Sequence, residues 1–398
     1  LAACGEKMPP ETTPPMTEAT ETSAATILTE ELPPVKEPTL YKLSFIGAGD
    51  NMAYYGNVRD AKKNAEGTNL VYDFRPSYTD IKTVIADYDL RFINQETLMC
   101  GDGYDLSYYP RFNSPQELGD AVVDTGFNVV GLANNHMLDK GAKGYINTIA
   151  YFNTLPVTMI GGYTKSDYDN IRVLECKGVK LAFLSYTTLV NSGHAGDLPA
   201  SSEYIIPYAN EADIRRQVAL AKECADVVIA SFHWGTEDAF NATAEQTKYA
   251  KLCADLGVDV VLGHHSHVVG NVEFLTGESG SKTLVAYSLG NFCGTMLNIR
   301  NNVGLMLEFD IVKDADGIIT VENAVVEPTV SHYKTDTSKT DRQGLAVRYD
   351  SRVYLLRDYT EALANEHGAH NWDKFTFADM KKLVTDHVNA EFLPDFLK

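Results

Sequence analysis

Long hydrophobic runs are absent from the sequence. Apolar residues make up 44% of the 398 residues. The most apolar stretch, Val179–Val190, is nevertheless far shorter than the roughly 18 residues that a membrane-spanning helix needs. The sequence therefore excludes a multi-span membrane protein, and its ordinary composition also excludes a collagen, a coiled coil and a wholly disordered chain.

Positive charge is scarce. The chain has 34 lysines and arginines against 54 aspartates and glutamates, which gives a formal net charge of −20. A surface of this sign repels the phosphates of DNA and RNA, so we expect no nucleic acid among the partners. The simplest interpretation of the charge is solubility.

The cysteines show no disulfide or zinc pattern. Of the six, five are scattered along the chain without a CxxC pair, so neither a disulfide framework nor a zinc knuckle is predicted. The sixth, Cys4, closes the string Leu1-Ala2-Ala3-Cys4, which resembles a bacterial lipobox. We therefore expect lipidation at Cys4 and a protein anchored to the cell membrane, facing outside the cytoplasm.

Aromatic residues are missing before Tyr41. Between Gly5 and Leu40 the chain has seven of its 15 prolines, together with many threonines and glutamates. Such a segment cannot bury enough apolar surface to offset the entropy lost on ordering. We predict that residues 1–40 form a disordered tether.

From Tyr41 onward, short apolar runs alternate with amphipathic stretches, the pattern typical of an α/β fold. The predicted strands are Lys42–Gly47, Leu90–Asn94, Val129–Ala133, Lys180–Ser185, Val227–Phe232, Asp259–Gly263 and Thr283–Leu289. The predicted helices are Ser114–Thr125, Glu211–Ala225 and Ala244–Leu256. We assign residues 41–330 to one domain. Residues 331–398 are more polar and are predicted to form a C-terminal extension packed on that domain, with helices near Val353–Ala364 and Phe377–Phe392.

Unusual polar residues follow six of the predicted strands. In an open α/β sheet, ligands bind beyond the carboxyl ends of the strands, so these residues should converge. Taken singly, each has an ordinary interpretation as a helix cap, a turn former or a structural histidine. Taken together, they predict a site for one or two divalent cations, with Zn, Mn or Fe as the candidates. The residues are Asp50, Asn94, Glu96, Asn134, Asn135, His136, Asp139, His233, Glu237, His264, His265, His267 and Asn291.

Several longer strings carry a family resemblance. They are "FIGAGDNM", "INQETL", "FNSPQELGDAVVDTGFNVVGLANNHMLDKG", "ASFHWGTE", "VDVVLGHHSHVVGNVE" and "VAYSLGNF". In this order they resemble the CapA-type poly-γ-glutamate capsule biosynthesis proteins, whose domain is similar to the calcineurin-like metallophosphoesterases. The resemblance covers about Leu43 to Phe292. It implies a layered αββα sandwich, here followed by a polar helical C-terminal extension.

The resemblance also implies a role for each site residue. His136 would be the catalytic hydrogen-bond donor or general acid and Asp139 its partner, although Asp139 could instead cap the following helix. Five residues would orient the ligands by hydrogen bonds, although Asn291 could simply satisfy a turn. The implied metal ligands are Asp50, Glu96 as a bridge, Asn135, His233, His265 and His267, and the orienting residues are Asn94, Asn134, Glu237, His264 and Asn291.

The sequence departs from the phosphatase pattern in three places. The first strand ends in Asp50-Asn51-Met52 where the phosphatases have Asp-x-His, a glutamate stands at position 96 in place of aspartate, and Met137 follows the asparagine–histidine pair. Methionine is a poor ligand for a hard cation. The departures leave a single-metal site, or a site used for binding, as open alternatives.

Three functional hypotheses follow. The first is a lipid-anchored protein that takes part in the biosynthesis, export or retention of poly-γ-glutamate, an anionic polymer, with a membrane synthase complex as a partner. The second is a metal-dependent hydrolase of phosphoesters or amides unrelated to a capsule. The third is a non-catalytic polymer-binding or scaffold module with a vestigial metal site. Contact with the polymer would need a local basic groove or a metal, and Arg75, Arg91 and Arg111 are the sequence candidates for such a groove.

Overall fold

A computed structural model describes residues 40–191 and 198–398. The predicted tether, with Cys4, lies outside these residues except for Leu40. Within the described range no helix combines the length and apolarity needed to cross a membrane. The strands are β1 Tyr41–Asn51, β2 Leu90–Gln95, β3 Val129–Gly131, β4 Thr158–Ile160, β5 Tyr163–Thr164, β6 Arg172–Cys176, β7 Val179–Thr187, β8 Tyr204–Ile205, β9 Val227–His233, β10 Val260–His264, β11 Val272–Thr276, β12 Lys282–Ala286, β13 Asn291–Cys293, β14 Val303–Lys313, β15 Ile319–Thr340 and β16 Ala346–Leu355. The helices are α1 Tyr55–Asn64, α2 Thr79–Ile85, α3 Glu117–Thr125, α4 Gly141–Phe152, α5 Glu211–Cys224, α6 Ala244–Asp255, α7 Glu361–Glu366 and α8 Phe377–Thr385.

One sheet has the order β16-β15-β14-β1-β2-β3-β4. The half from β1 to β4 is parallel, and the half from β14 to β16 is antiparallel. The short β13 pairs in parallel with the end of β1, so that Asp50 lies opposite Asn94 on one side and Asn291 on the other. The polar residues at the end of β1 are therefore flanked by polar residues of two neighbouring strands.

The second sheet has the order β11-β12-β10-β9-β7-β6. Its four central strands are parallel. The buried apolar runs of β9 and β10 suit strands covered on both faces. The two strands end together, with His264 opposite His233.

The two sheets pack face to face between two layers of helices. Residues of both sheets, such as Phe45 and Leu262, share one buried apolar cluster. The outer face of the first sheet buries residues of α1 to α4, among them Ile81 and Val122. The outer face of the second sheet buries residues of α5 and α6, such as Val218. The predicted α/β class and the αββα layering are confirmed.

The C-terminal part differs from the prediction. Strand β15 runs across the proposed boundary between residues 330 and 331, and β16 pairs with it. The helix predicted near Val353–Ala364 is wrong in its first part, because Ser351, Val353 and Leu355 are buried at every second position, which is the period of a strand. Helices begin only at α7, and all elements from β1 to α8 belong to one compact unit.

The C-terminal helix α8 is joined to the main core, which gives a stability test. Met380 on α8 is fully buried in the same apolar cluster as Val330 and Leu284. We expect Met380→Ala to lower the free energy of unfolding by about 2–5 kcal/mol and to keep a single transition in urea. Circular dichroism and the fluorescence of the two tryptophans would measure it. Lys382→Ala, which removes an exposed side chain, is the control and should cost less than about 0.5 kcal/mol. Two separate transitions would contradict a shared core.

Candidate metal centre

The carboxyl ends of strands from both sheets meet at one edge of the sandwich. All six predicted metal ligands lie there, and each is almost completely buried. The first sheet contributes residues at or just beyond the ends of β1, β2 and β3, and the second contributes residues at or beyond the ends of β9 and β10. The ligands are Asp50, Glu96, Asn135, His233, His265 and His267.

Two glycines allow this convergence. A Cβ atom on Gly49 would lie 2.0 Å from the carbonyl oxygen of Gly290, and one on Gly263 would lie 2.2 Å from that of Tyr287. Only glycine lets both strand ends approach the segment between Tyr287 and Gly290 this closely. Asp50 and His264, the next residues along the chain, are thereby brought to the same place.

The loop after β10 is strained. His265 and His267 have positive φ angles of 91° and 57°. Residues other than glycine rarely adopt such angles, which cost of order 1–3 kcal/mol each. Hydrogen bonds hold the loop in this shape. The backbone N–H of His265 donates to Asp50 Oδ2 at 3.1 Å, and His267 Nδ1 lies 2.8 Å from Asn291 Oδ1. Both imidazoles consequently face the cluster.

Two groups of donor atoms share Glu96. One consists of Glu96, His233 and His265, and the other of Asp50, Glu96 and His267. Within each group the donor atoms lie within 4.8 Å of one another. Asn135 extends the first group to four residues, because its Oδ1 lies 3.0 Å from His233 Nε2. A further group joins the exposed Glu237 to His265 and His267.

The buried Glu96 carboxylate fits a metal ion. Neither of its oxygens has a hydrogen-bond partner among the described residues, although burying a charge without compensation is costly. The closest imidazole nitrogens are those of His267, His136 and His233, at 3.6, 3.7 and 3.8 Å from Oε1. A cation between these groups would satisfy the carboxylate. The mixed set of carboxylate, amide and imidazole donors suits a divalent metal.

The spacing of the first group is that of ligands around one ion. His233 Nε2 lies 3.1 Å from His265 Nδ1 and 3.0 Å from Asn135 Oδ1. Tetrahedral zinc ligands at about 2.0–2.1 Å from the ion are about 3.3 Å apart. Burial, together with neighbouring imidazoles, lowers the pKa of His233 well below its usual value and that of His265 to about 3. Both are therefore neutral at pH 7, which is the form that binds metals.

The second group is more strongly charged. Burial acts to lower the pKa of His267, but the charges of Glu96 and Asp50 prevail and raise it to about 10. Burial acts to raise the pKa of Asp50, but hydrogen bonds from His264 and His267 hold it well below its usual value. Burial raises the pKa of Glu96 well above its usual value despite the attraction of His267.

His136 and Asp139 form an oriented pair beside these groups. His136 Nδ1 lies 2.7 Å from Asp139 Oδ2, which also accepts the backbone N–H of Phe112 at 2.7 Å. The backbone N–H of His136 donates to Asn134 Oδ1 at 2.8 Å. With Asp139 holding Nδ1–H, Nε2 is turned toward Glu96. The alternative that Asp139 caps the next helix is wrong, since α4 follows Lys140 without a side-chain cap.

Asn94, Asn291 and His264 are buried and contact the predicted ligands Asp50 and His267. Asn94 Nδ2 donates to Asp50 Oδ1 at 2.7 Å, and Asn291 contacts both His267 and the carbonyl of Asn301. Asn291 thus does more than satisfy a turn. The buried His264 stacks on Phe92 and lies 3.4 Å from Asp50.

A cavity of about 300 Å³ opens above the cluster. Met52, which stands where the phosphatases have a histidine, packs in an apolar group with Tyr54, Phe112 and Met296 on its wall. The Asp50 group consequently has three donor residues, against four in the group with Asn135.

Two neighbours of His136 were missed by the sequence analysis. Asn191 Nδ2 lies 3.4 Å from His136 Nδ1, and the ring of Phe112 meets that of His136 edge-on at 4.9 Å. Asn191 lies outside every string that carries the resemblance, so no sequence signal pointed to it. Phe112 lies within one of those strings, but a phenylalanine there is indistinguishable from a core residue.

Because Glu96 belongs to both donor groups, its substitution should empty both. We expect Glu96→Gln to lose bound metal, measured by mass spectrometry of the purified protein, and to lose the rise in Tm that metal gives the unchanged protein. At 100 times the Kd that rise corresponds to about 2.7 kcal/mol. Glu223→Gln, at an exposed residue of α5 outside every donor group, is the control and should keep its metal. Equal metal content in all three proteins would contradict the assignment.

Metal binding should be coupled to loss of the His267 proton. The pKa of about 10 keeps His267 protonated at neutral pH in the metal-free protein, whereas a metal binds neutral imidazole. The affinity should therefore rise with pH below about 10, with about one proton or more released per ion. Calorimetry in buffers of different ionisation enthalpy would count the protons. His267→Gln should release about one fewer, since His233 and His265 are already neutral. Affinity that does not vary with pH would refute this coupling.

Comparison with known proteins agrees with the resemblance in the sequence. Residues 44–296 match the family described as "Bacterial capsule synthesis protein PGA_cap". The chain is 31% identical over 225 residues to the PGA biosynthesis protein CapA of Bacillus subtilis, covering 54% of this chain and 56% of that protein. It is 27% identical over 298 residues to the capsule biosynthesis protein CapA of Bacillus anthracis, covering 74% of this chain and 70% of that one. The match therefore spans little more than half of the Bacillus subtilis protein.

Solved structures give more distant matches. The NAD nucleotidase of Haemophilus influenzae aligns with a TM-score of 0.42 and 13% identity, over 87% of this chain and 60% of that one. A purple acid phosphatase from yellow lupin aligns with a TM-score of 0.31 and 10% identity, over 73% and 54% of the two chains.

The family match covers more than half of this chain, and the CapA-type resemblance is confirmed. The chain belongs to the bacterial capsule synthesis family PGA_cap.

Proposed function

We propose that this protein takes part in the synthesis, export or retention of poly-γ-glutamate, and that its metal centre hydrolyses an amide bond in that polymer. The names of the two CapA relatives support the process. The observation that carries the hydrolytic role is the unpartnered carboxylate of Glu96, shared by two donor groups beside an oriented His136. Structural sites satisfy such charges within the protein, whereas this one opens into a cavity.

Each residue has a defined task in this proposal. Glu96, Asn135, His233 and His265 would hold one ion, and Asp50, Glu96 and His267 would hold a second. A bound divalent ion supplies a water of lowered pKa and polarises the scissile carbonyl. Zn, Mn and Fe all suit these donors.

His136 is proposed to move the proton. When an amide is hydrolysed, the attacking water loses a proton and the departing nitrogen gains one. His136 lines the cavity, and its Nε2 would take up the first proton and pass it to the departing nitrogen. Asp139 keeps the opposite nitrogen, Nδ1, protonated and fixes the plane of the ring. Met52, Phe112 and Met296 exclude water from one side of the cavity.

Polymer binding without turnover is the second candidate. The observation that favours it is Met52, which leaves the Asp50 group one ligand short of the phosphatase pattern. Loss of the second ion would remove much of the stabilisation of the attacked bond. In that case the centre would bind a carboxylate of the polymer and perform no chemistry on it.

The proposed location is the outer face of the cell membrane. The string Leu1-Ala2-Ala3-Cys4 and the proline-rich residues that follow support a lipid anchor at Cys4 with a long tether. A membrane synthase complex would then lie within reach of the domain.

The proton-transfer role predicts that turnover and metal content separate. In metal-loaded protein, His136→Ala should lower kcat on poly-γ-glutamate by about 10²–10⁴-fold, measured as the fall in polymer length with time, while the bound metal stays unchanged. Asp139→Asn should lower kcat less, because the ring remains in place. The control is His370→Ala, at an exposed histidine outside the cluster.

Three results would decide between the candidates. Full turnover in His136→Ala would overturn the role of His136. Absence of turnover in the unchanged, metal-loaded protein, together with binding of the polymer, would establish the non-catalytic candidate instead. Turnover of a phosphodiester with none of the polymer would favour a hydrolase unrelated to a capsule.

A further inference from the structure

A second cavity lies beside helix α1, outside the metal centre. Its volume is about 800 Å³, the largest among the cavities described here, and ligand sites commonly range from about 300 to 1,000 Å³. One wall is a face of α1, where residues three and four positions apart line the cavity. The wall residues on α1 are Tyr55, Val58, Arg59, Lys62 and Lys63, and Glu66 lies just beyond the end of the helix.

This cavity, called the basic cleft below, contrasts with the charge of the whole chain. Arg59, Lys62, Lys63 and Arg342 line it together with only two acidic residues, Glu66 and Asp105, in a protein of net charge −20. None of the four cations forms an ion pair among the described residues. Nη1 of Arg59 is moreover buried without a hydrogen-bond partner. Unpaired cations concentrated in a concave surface attract anions.

A series of neighbouring cavities extends from the basic cleft to the metal centre. The cleft shares Tyr55, Tyr108 and Arg342 with a smaller adjacent cavity. That cavity shares Tyr109 and Gln343 with a third one, which in turn shares wall residues with the cavity above the metal ligands. Tyr109, of which 57% is exposed, borders all three of these smaller cavities. The cations and the metal ligands are thus related by adjoining cavities with aromatic side chains in their shared walls.

We propose that the basic cleft binds a chain of amide-linked carboxylates and leads it toward the metal centre. The identity of the polymer rests on the proposed function, whereas the cations and the shape of the cleft are features of the structure. The cations would pair with side-chain carboxylates, and the tyrosines would cover the apolar parts of the chain. No cation of the cleft is a metal ligand.

The two acidic residues distinguish a polyamide from other anionic chains. Glu66 and Asp105 lie among the cations, where they would repel a chain that carries nothing but negative charge. A polyamide has N–H donors between its carboxylates, and a carboxylate can accept a hydrogen bond from such a donor. A cleft that holds both cations and acceptors thus matches a chain of carboxylates and amides better than it matches polyphosphate.

The cations of the cleft differ from those proposed from the sequence. Arg75, Arg91 and Arg111 do not line it. Arg75 is instead paired with Asp73 at 2.8 Å. The cations were missed because their significance depends on the facing wall, which comes from Asp105, Tyr108 and Arg342, far away in the sequence.

The test compares two charge reversals of equal size. Lys62→Glu/Lys63→Glu alters the basic cleft. The control, Lys248→Glu/Lys282→Glu, alters one exposed lysine on α6 and one on β12, neither of which forms an ion pair with a described residue. Binding of a ten-residue γ-linked glutamate oligomer is measured by fluorescence anisotropy at low salt. We expect about tenfold weaker binding or more for the cleft variant and less than a twofold change for the control. Lys62→Gln/Lys63→Gln, which avoids new negative charge at the end of α1, should fall between them with an unchanged Tm.

Ligand chemistry is tested with two probes of matched charge. Polyacrylate carries carboxylates without amides, and polyphosphate carries neither, so both should bind more weakly than the glutamate oligomer. Tighter binding of polyphosphate would overturn the assignment of ligand class. Equal weakening in the cleft variant and the control would overturn the site.

The outcome is separable from that of the proposed function. The unchanged protein, stripped of metal with a chelator, should still bind the oligomer with nearly unchanged affinity. Binding without turnover in the metal-loaded protein would leave the basic cleft established and the hydrolytic role refuted. Turnover by the metal-loaded protein, with no effect of the cleft variant on binding, would support the hydrolytic role and refute the basic cleft as the binding site.

Discussion

The rest of the site depends on one buried charge, the carboxylate of Glu96. The protein places it at the end of β2 with no hydrogen-bond donor for either oxygen and with three imidazoles a little beyond hydrogen-bonding distance. A carboxylate in this position is unfavourable unless a cation compensates it. Burial of the carboxylate raises the pKa of Glu96, and its charge helps to raise the pKa of His267. The cluster is therefore arranged for a group that brings positive charge.

The architecture supplies this arrangement by joining two sheets at their carboxyl ends. Gly49 and Gly263 let a strand from each sheet come within contact of the same short segment, Tyr287–Gly290. The positive φ angles of His265 and His267 then turn two imidazoles back over the strand ends. The stability of a large shared core offsets this local strain, and the core extends through β15 and β16 to α8. The C-terminal residues thus contribute to the fold that holds the site, although none of them is a ligand.

The metal cluster and the basic cleft differ in the charges that surround them. Neutral imidazoles and an amide surround the position best suited to a metal, while the charged Asp50 and His267 lie on its other side. His136 stands between these groups and the cavity, held by Asp139. Cations without an ion pair among the described residues are gathered on α1, away from the metal ligands, and adjoining cavities that share wall residues extend from one place to the other. A protein of strongly negative net charge can attract an anionic polymer only by such concentration, because uniformly spread cations would be outweighed by the surrounding carboxylates.

The sequence by itself determined the fold class from its alternating strands and helices, and the family and the candidate metal ligands from its longer strings. Each candidate ligand lies at or a few residues beyond the end of a strand, where ligands bind in an open α/β sheet. Periodicity in the C-terminal part is less informative, because the short alternating run that ends in Val353 and Leu355 forms a strand where the sequence predicts a helix. Only the tertiary structure decided that Glu96 lacks partners, that Asp139 holds His136 rather than a helix, and that Asn191 approaches that ring. The basic cleft also appeared only in three dimensions. Such features depend on contacts between residues far apart in the chain, and no local pattern records them.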